Sequence, residues 1–255
     1  GLGDVYKRQV SRCFSYFPNI FFTGWPLTFV LNIPKHKSSR AMSSQLPSTI
    51  ELEFAERYDR EHAQVCLAVR PSGLVRRLAG WREQRLVRRA LKVAGGPGLG
   101  FDVACGVGRF WPVLAEHGNR VILAADASQG MLDHAQTHHP ASLLKRITLF
   151  KSSVFSIDLS ENAVDSIFCM QLFHHVSDSE HRLAILRELS RVSRDTLIVS
   201  LSVGRTPRQR DSQRVVISKH ELETQFALAG FSILKHYDVL PGFAQGSIYV
   251  LRKGA

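Results

Sequence analysis

Phe101-Asp-Val-Ala-Cys-Gly-Val-Gly-Arg109 begins as a buried strand, passes through a turn of small residues and opens a helix. Small residues at such a turn remove the Cβ atoms that would hold a ligand off the backbone. The helix N-terminus beyond offers free N–H groups and a positive dipole end. A nicotinamide-type turn, G-x-G-x-x-G, needs a third glycine for close helix–strand packing beside a pyrophosphate. Here Gly106-x-Gly108 is followed by Trp111, so pyrophosphate binding is disfavoured. The Gly-Lys-Ser/Thr triplet of a phosphate-binding P-loop is absent.

Outward from the turn, strand and helix patterns alternate. Val121 to Ala125 reads as a second strand and Gln129 to His138 as a helix. Ile147 to Lys151 and Val164 to Met170 are the third and fourth strands, Glu180 to Ser190 a helix, and Thr196 to Leu201 a fifth strand. A helix is expected over Arg109 to His117. Ser177-Asp-Ser-Glu180 and Ser218-Lys-His-Glu221 read as capping boxes with Ser at the N-cap. This rhythm predicts a parallel sheet covered on both faces, a doubly wound α/β fold. Phe231 to Val239 and Ile248 to Leu251 have no helix between them and are expected to pair antiparallel. Before the turn, Ile50 to Val69 and Leu74 to Val93 read as two helices, separated by Pro71-Ser72-Gly73.

Asp126 ends the second strand, 20 residues after Gly106. At that distance a carboxylate accepts both hydroxyls of an adenosine ribose. A ribose contact without a pyrophosphate turn suits a nucleoside cofactor lacking phosphate, of which S-adenosylmethionine (SAM) is the common one.

Composition bounds the rest. With 44% hydrophobic and 22% charged residues over 255 positions, one well-buried core is expected and no second domain or repeat is evident. The first Met is Met42. Residues 1–41 are expected to be a non-native or disordered tail, and the opening GLGDVYKRQ resembles a translated sequencing-adaptor remnant. The uncharged run at residues 14–33 superficially suits a membrane anchor, but Pro18, Pro26, Asn19 and Asn32 interrupt it, so no stable span is expected. Of the net charge of +11, the part after residue 41 keeps 27 Lys or Arg against 21 Asp or Glu. Arg76, Arg77, Arg82, Arg85, Arg88, Arg89 and Lys92 crowd one segment. Without interleaved aromatic residues, a solvated helix face is favoured over a nucleic-acid surface. Cys13, Cys66, Cys105 and Cys169 show neither a C-x-x-C pair nor a ligand-like spacing with histidines, so no metal or disulfide framework is indicated and a cytoplasmic setting is expected.

Asp102-Val-Ala-Cys-Gly-Val-Gly108, Ala124-Ala-Asp-Ala-Ser128, Ser128-Gln-Gly-Met-Leu132, Val164-Asp-Ser-Ile-Phe-Cys-Met-Gln-Leu-Phe-His-His-Val176, Leu186-Arg-Glu-Leu-Ser-Arg-Val192 and Leu228-Ala-Gly-Phe231 follow one another in the chain. In order and spacing they resemble the class I SAM-dependent methyltransferases, most closely the bacterial type 11 group, over roughly residues 50 to 252. The resemblance implies a Rossmann-like seven-stranded sheet of order 3-2-1-4-5-7-6 with strand 7 antiparallel. It also implies a helical cap at residues 42–95 and a SAM-binding domain at 96–255.

The same resemblance assigns the cofactor contacts. Asp102 would orient the turn near the cofactor's ammonium, Gly106 and Gly108 would admit its methionine part, Asp126 would hold the ribose and Met131 would pack on the adenine. Ala104, Ala127, Val154 and Gln171 complete the expected site, with Tyr58 closing over it. Ser153 stands where the family usually has an Asp facing the adenine amino group, and Ala104 replaces the family's first Gly, a change expected to be mild. His174, near the carboxyl end of the fourth strand, is the candidate base. No Asn/Asp-Pro-Pro-Tyr/Phe motif and no Pro-Cys nucleophile is present, which disfavours amino-group and C5 methylation of bases. A small-molecule or lipid-linked acceptor is expected, and Arg205, Arg208, Arg210 and Arg214 after the fifth strand are able to meet an anionic group on it. The alternatives are an RNA or protein methyltransferase, distinguished by salt-dependent nucleic-acid binding, and a non-catalytic module that binds SAM or S-adenosylhomocysteine.

Overall fold

The computed structural model describes residues 74–204, 208–210, 214–239 and 246–254. The expected helix at residues 50–69, with Tyr58, and the expected tail at 1–41 lie outside the described residues. No described helix is long and apolar enough to cross a membrane.

Helix α1 (Leu74–Val93) leads into β1 (Leu99–Val103), the short α2 (Trp111–Leu114), β2 (Val121–Asp126), α3 (Gln129–His138), α4 (Ala141–Leu144), β3 (Ile147–Lys151) and β4 (Val164–Cys169). Then follow α5 (Ser179–Val192), β5 (Ser193–Gly204), β6 (Arg208–Arg210), β7 (Arg214–Ser218), α6 (Lys219–Leu228), β8 (Phe231–Asp238) and β9 (Ser247–Lys253). Strands β3-β2-β1-β4-β5 pair in parallel, and β9 joins β5 antiparallel with β8 outside it. This is the 3-2-1-4-5-7-6 order implied by the family resemblance, with β9 as its antiparallel member.

Alternating side chains explain why both faces are covered. Leu197, Val199 and Leu201 of β5 and Tyr249 and Leu251 of β9 pack with Ile185, Leu186 and Leu189 of α5 and Leu222 and Phe226 of α6. Ile198, Ile248 and Val250 turn the other way, onto Leu86, Val87, Ala90 and Leu91 of α1. The apolar stripe of α1 thus recurs at helical intervals, while its charged positions stay outside.

Three expectations need correction. The helix at Arg109–His117 shrinks to four residues, because tight turns occupy the chain before it: Gly108 N–H donates to Cys105 O and Trp111 N–H to Gly108 O. The N-cap of α5 is Asp178 rather than Ser177; its carboxylate accepts from His181 N–H at 2.8 Å. Ser218 does cap α6, accepting from Glu221 N–H. Finally, the segment after the fifth strand is not a loop alone. Strand β5 outruns its neighbours β4 and β9, and its last residues pair in parallel with β7, which pairs antiparallel with β6. The hairpin supplies partners for backbone groups that a bare strand end would leave open.

Candidate functional site

The carboxyl ends of the parallel strands converge on the turn after β1. Ala104 N–Cα torsion lies at φ +53°, Gly106 at +54° and Gly108 at +72°, all left-handed. At Gly108 a side chain is excluded twice over, since an added Cβ would come within 2.4 Å of the Trp111 ring. At Gly106 an added Cβ would meet nothing within 4 Å, so open space lies over this part of the turn. The Trp111 indole is fully buried and donates from Nε1 to Asp102 Oδ2 at 3.0 Å. His139, just beyond α3, donates from Nε2 to Val107 O at 2.9 Å and packs its ring on Trp111, centroids 4.9 Å apart.

Asp126, at the end of β2, is 1% exposed. Its Oδ2 accepts from Gly106 N–H at 2.8 Å, and its Oδ1 accepts from Ser128 N–H at 2.9 Å, beside the start of α3. The carboxylate therefore clamps the turn of β1 to the helix start of the next unit through charge-assisted bonds. Ala127 follows it, partly exposed, and Met131 is buried on α3. After β3, Ser152 N–H donates to Asp126 O, Ser153 Oγ accepts from Phe155 N–H at 3.2 Å, and Val154 is buried in the core.

Asp102 is the electrostatic anomaly of the site. Burial, opposed by the Trp111 hydrogen bond and reinforced by the nearby Asp126 charge, raises its pKa from the ordinary 3.8 to about 8. At neutral pH the carboxyl is predominantly protonated. Cys105 in the same turn is pushed up by burial and by Asp102 and Asp126, which keeps it a thiol. Burial lowers His139, so its ring is neutral with the proton on Nε2, where Val107 O accepts it.

On the β4–β5 side, Gln171 adopts φ +68° and its N–H donates to Ser200 Oγ at 2.7 Å. Ala104 and Gln171 are two of three non-glycine residues at positive φ among the described residues; strained backbone is concentrated at the ends of β1 and β4. His174 is 5% exposed, with Nδ1 2.9 Å from Ser202 Oγ, and its carbonyl accepts from Val215 N–H of β7. The structure thus brings Asp102, Ala104, Gly106, Gly108, Asp126, Ala127, Met131, Ser153, Val154, Gln171 and His174 to the carboxyl ends of β1 to β5.

The sequence of residues 101–196 matches the family of the methyltransferase domain. Magnesium protoporphyrin IX methyltransferase from Synechocystis PCC 6803, solved with bound S-adenosylhomocysteine, superposes on this chain with a TM-score of 0.58 at 18% identity, over 80% of this chain and 98% of that one. The [4+2]-cyclase SpnF gives 0.57 at 20% identity over 67% and 81%, and a putative sarcosine dimethylglycine methyltransferase from Galdieria sulphuraria 0.57 at 15% over 68% and 86%. At these identities the likeness carries the fold. No curated protein matches the chain by sequence.

Several residues that build the site escape sequence reading. Arg182 of α5 is 2% exposed; it donates from Nη1 to the carbonyls of Val176 and Ser177 and from Nε to Gln225, and it pairs with Glu221 of α6. It ties the loop carrying His174 to α6. Trp111, Ser200 and Ser202 likewise act through partners on other elements. Serines within the apolar β5 were the one signal present, since a buried strand position holds a hydroxyl only with a bonding partner. Among the described residues no group of His, Cys, Asp and Glu suits a metal ion. A cavity of about 370 Å³ lined by Arg88, Lys92, Gly96 and Arg120 lies at the amino ends of β1 and β2, away from the turn after β1.

Proposed function

We propose that this chain transfers the methyl group of S-adenosylmethionine to a small-molecule or lipid-linked acceptor, with the residues at the carboxyl ends of β1 to β4 holding the cofactor. One observation carries the reading: the buried Asp126 carboxylate and the open space over Gly106 sit together, joined by the Gly106 N–H. A carboxylate accepts through about four lone-pair positions, so Asp126 retains capacity for ribose hydroxyls beside its two backbone donors. Gly106 and Gly108 leave room for the methionine part, and Met131 and Val154 offer apolar surface to the adenine. The Ser153 hydroxyl, whose oxygen accepts from Phe155 N–H, would use its second lone pair to accept from the adenine amino group. Asp102, a buried carboxyl short of positive charge, suits the ammonium side of the cofactor.

S-adenosylmethionine supplies an electrophilic methyl group on a sulfonium, which an acceptor lone pair takes by in-line displacement. The protein's task is then to align the acceptor and exclude water. Where the acceptor is a hydroxyl or an acidic carbon, His174 is the proposed base, with its Nδ1 held 2.9 Å from Ser202 Oγ.

Calorimetric titration of the full chain with S-adenosylmethionine, S-adenosylhomocysteine and NAD tests the cofactor assignment. Binding of the first two at micromolar affinity without an NAD signal is expected. Asp126→Asn should weaken both by about 2 kcal/mol, the worth of charge-assisted bonds to a ligand. Unchanged affinity in a folded variant would remove Asp126 from the site.

A further inference from the structure

The last turns of α1, the end of α2 and the segment leading into β2 bring Arg88, Leu91, Lys92, Val113, Glu116 and Arg120 around one space of about 370 Å³. Clefts that hold small ligands run from about 300 Å³ upward. Counting Lys and Arg against Asp and Glu, three cations and one acid line this cavity, a surplus of two positive charges. Arg88 is committed to the acid, donating from Nη2 to Glu116 Oε1 at 2.6 Å and from Nε to Glu116 Oε2 at 2.8 Å. Lys92 is exposed and makes no ion pair with a described residue.

Arg120 is the unusual member. It is 5% exposed, yet no carboxylate meets it: Nε donates to Pro97 O at 2.9 Å, Nη1 donates to Leu114 O at 2.7 Å, and Nη2 makes no hydrogen bond to a described residue. Burial and the neighbouring Arg146 charge lower its pKa, opposed by Glu116. Buried charges are ordinarily paired. A guanidinium kept only to tie down the carbonyls after α2 needs no space beside it, and Arg146 already holds those of Ala115, His117 and Gly118. We infer that this cavity is a binding site for a small organic phosphate monoester, separate from the methyl-transfer site. A phosphate monoester carries about −1.5 to −2 charge at neutral pH, which matches the surplus of two, and its oxygens can accept from Arg120 and Lys92 together. Leu91 and Val113 offer an apolar wall to the organic part. Strands β1 and β2 begin beside the cavity and end at the Gly106 turn and Asp126, so the two sites lie at opposite ends of the same strands.

Calorimetric titration of the full chain tests this with phenyl phosphate as the probe and phenyl sulfate, which carries a single charge, as the comparator. Saturable binding of phenyl phosphate is expected, at least about fivefold tighter than that of phenyl sulfate. Lys92→Gln should weaken it about threefold or more and Arg120→Gln about tenfold or more, whereas Glu116→Gln, which removes the competing acid, should tighten it. Arg187→Gln on α5 changes the net charge by the same amount as Lys92→Gln and should leave binding little changed. Lys92 and Glu116 are exposed, so their opposite effects decide the matter even where Arg120→Gln fails to fold. Absence of saturable binding would overturn the inference. So would an equal loss in Arg187→Gln, or a shift of affinity in the same direction in Lys92→Gln and Glu116→Gln.

Discussion

Replacing Asp102 by Asn should make the stability of this protein much less dependent on pH. In the fold the Asp102 pKa is raised to about 8 from 3.8, so the folded state holds its proton more tightly than the unfolded chain does. The stability this proton contributes is fully present below the unfolded pKa and is lost as pH rises through about 8. Between pH 5 and pH 8 the wild type should therefore lose up to about 4 kcal/mol relative to the variant, at about 1.36 kcal/mol per unit. This figure is a ceiling, since water penetration and relaxation reduce the effective cost of a buried charge. Asn keeps an acceptor for Trp111 Nε1. The extra buried N–H of the amide adds a pH-independent cost that cancels in the comparison. Urea unfolding of both proteins at the two pH values, without cofactor, measures the gap. A gap that does not widen with pH by at least about 1 kcal/mol would refute the buried, protonated carboxyl.

Ala104→Gly relieves a left-handed backbone worth about 1–2 kcal/mol, offset by greater freedom of glycine in the unfolded chain, so the variant should be more stable by about 0.5–1 kcal/mol in denaturant titration. Gly108→Ala should cost about 2–4 kcal/mol, because the new Cβ collides with Trp111 in an already left-handed position; near-UV circular dichroism would report the displaced indole. Arg182→Ala leaves Glu221 and the carbonyls of Val176 and Ser177 without their shared donor, and thermal unfolding should show a loss of about 3 kcal/mol.

The mild effect expected of Ala104 has a physical origin that sequence comparison does not show. A Gly-to-Ala difference reads as one methyl group, but the φ of +53° at that position turns it into backbone strain. The carboxyl edge itself was legible, because each of its markers is local: Gly106 and Gly108 after a strand, and Asp126 at the end of the next. The hairpin β6–β7 was not. Its strands are short, and its pairing depends on how far β5 extends past β4, a length set by contacts on both sides of the sheet.

By itself the sequence determined the alternation of strand and helix and the positions around the turn, while the strand order came from the family resemblance. Hydrophobic periodicity and glycine placement act through neighbours along the chain, and such patterns survive in one dimension. Only the tertiary structure decided that Asp126 clamps Gly106 and Ser128, that burial keeps Asp102 protonated against the opposing Trp111 hydrogen bond and that Ser202 meets His174 at Nδ1. Each of these depends on register and burial between distant segments, and a pKa or a hydrogen-bond partner is set by the groups that packing brings within a few ångströms.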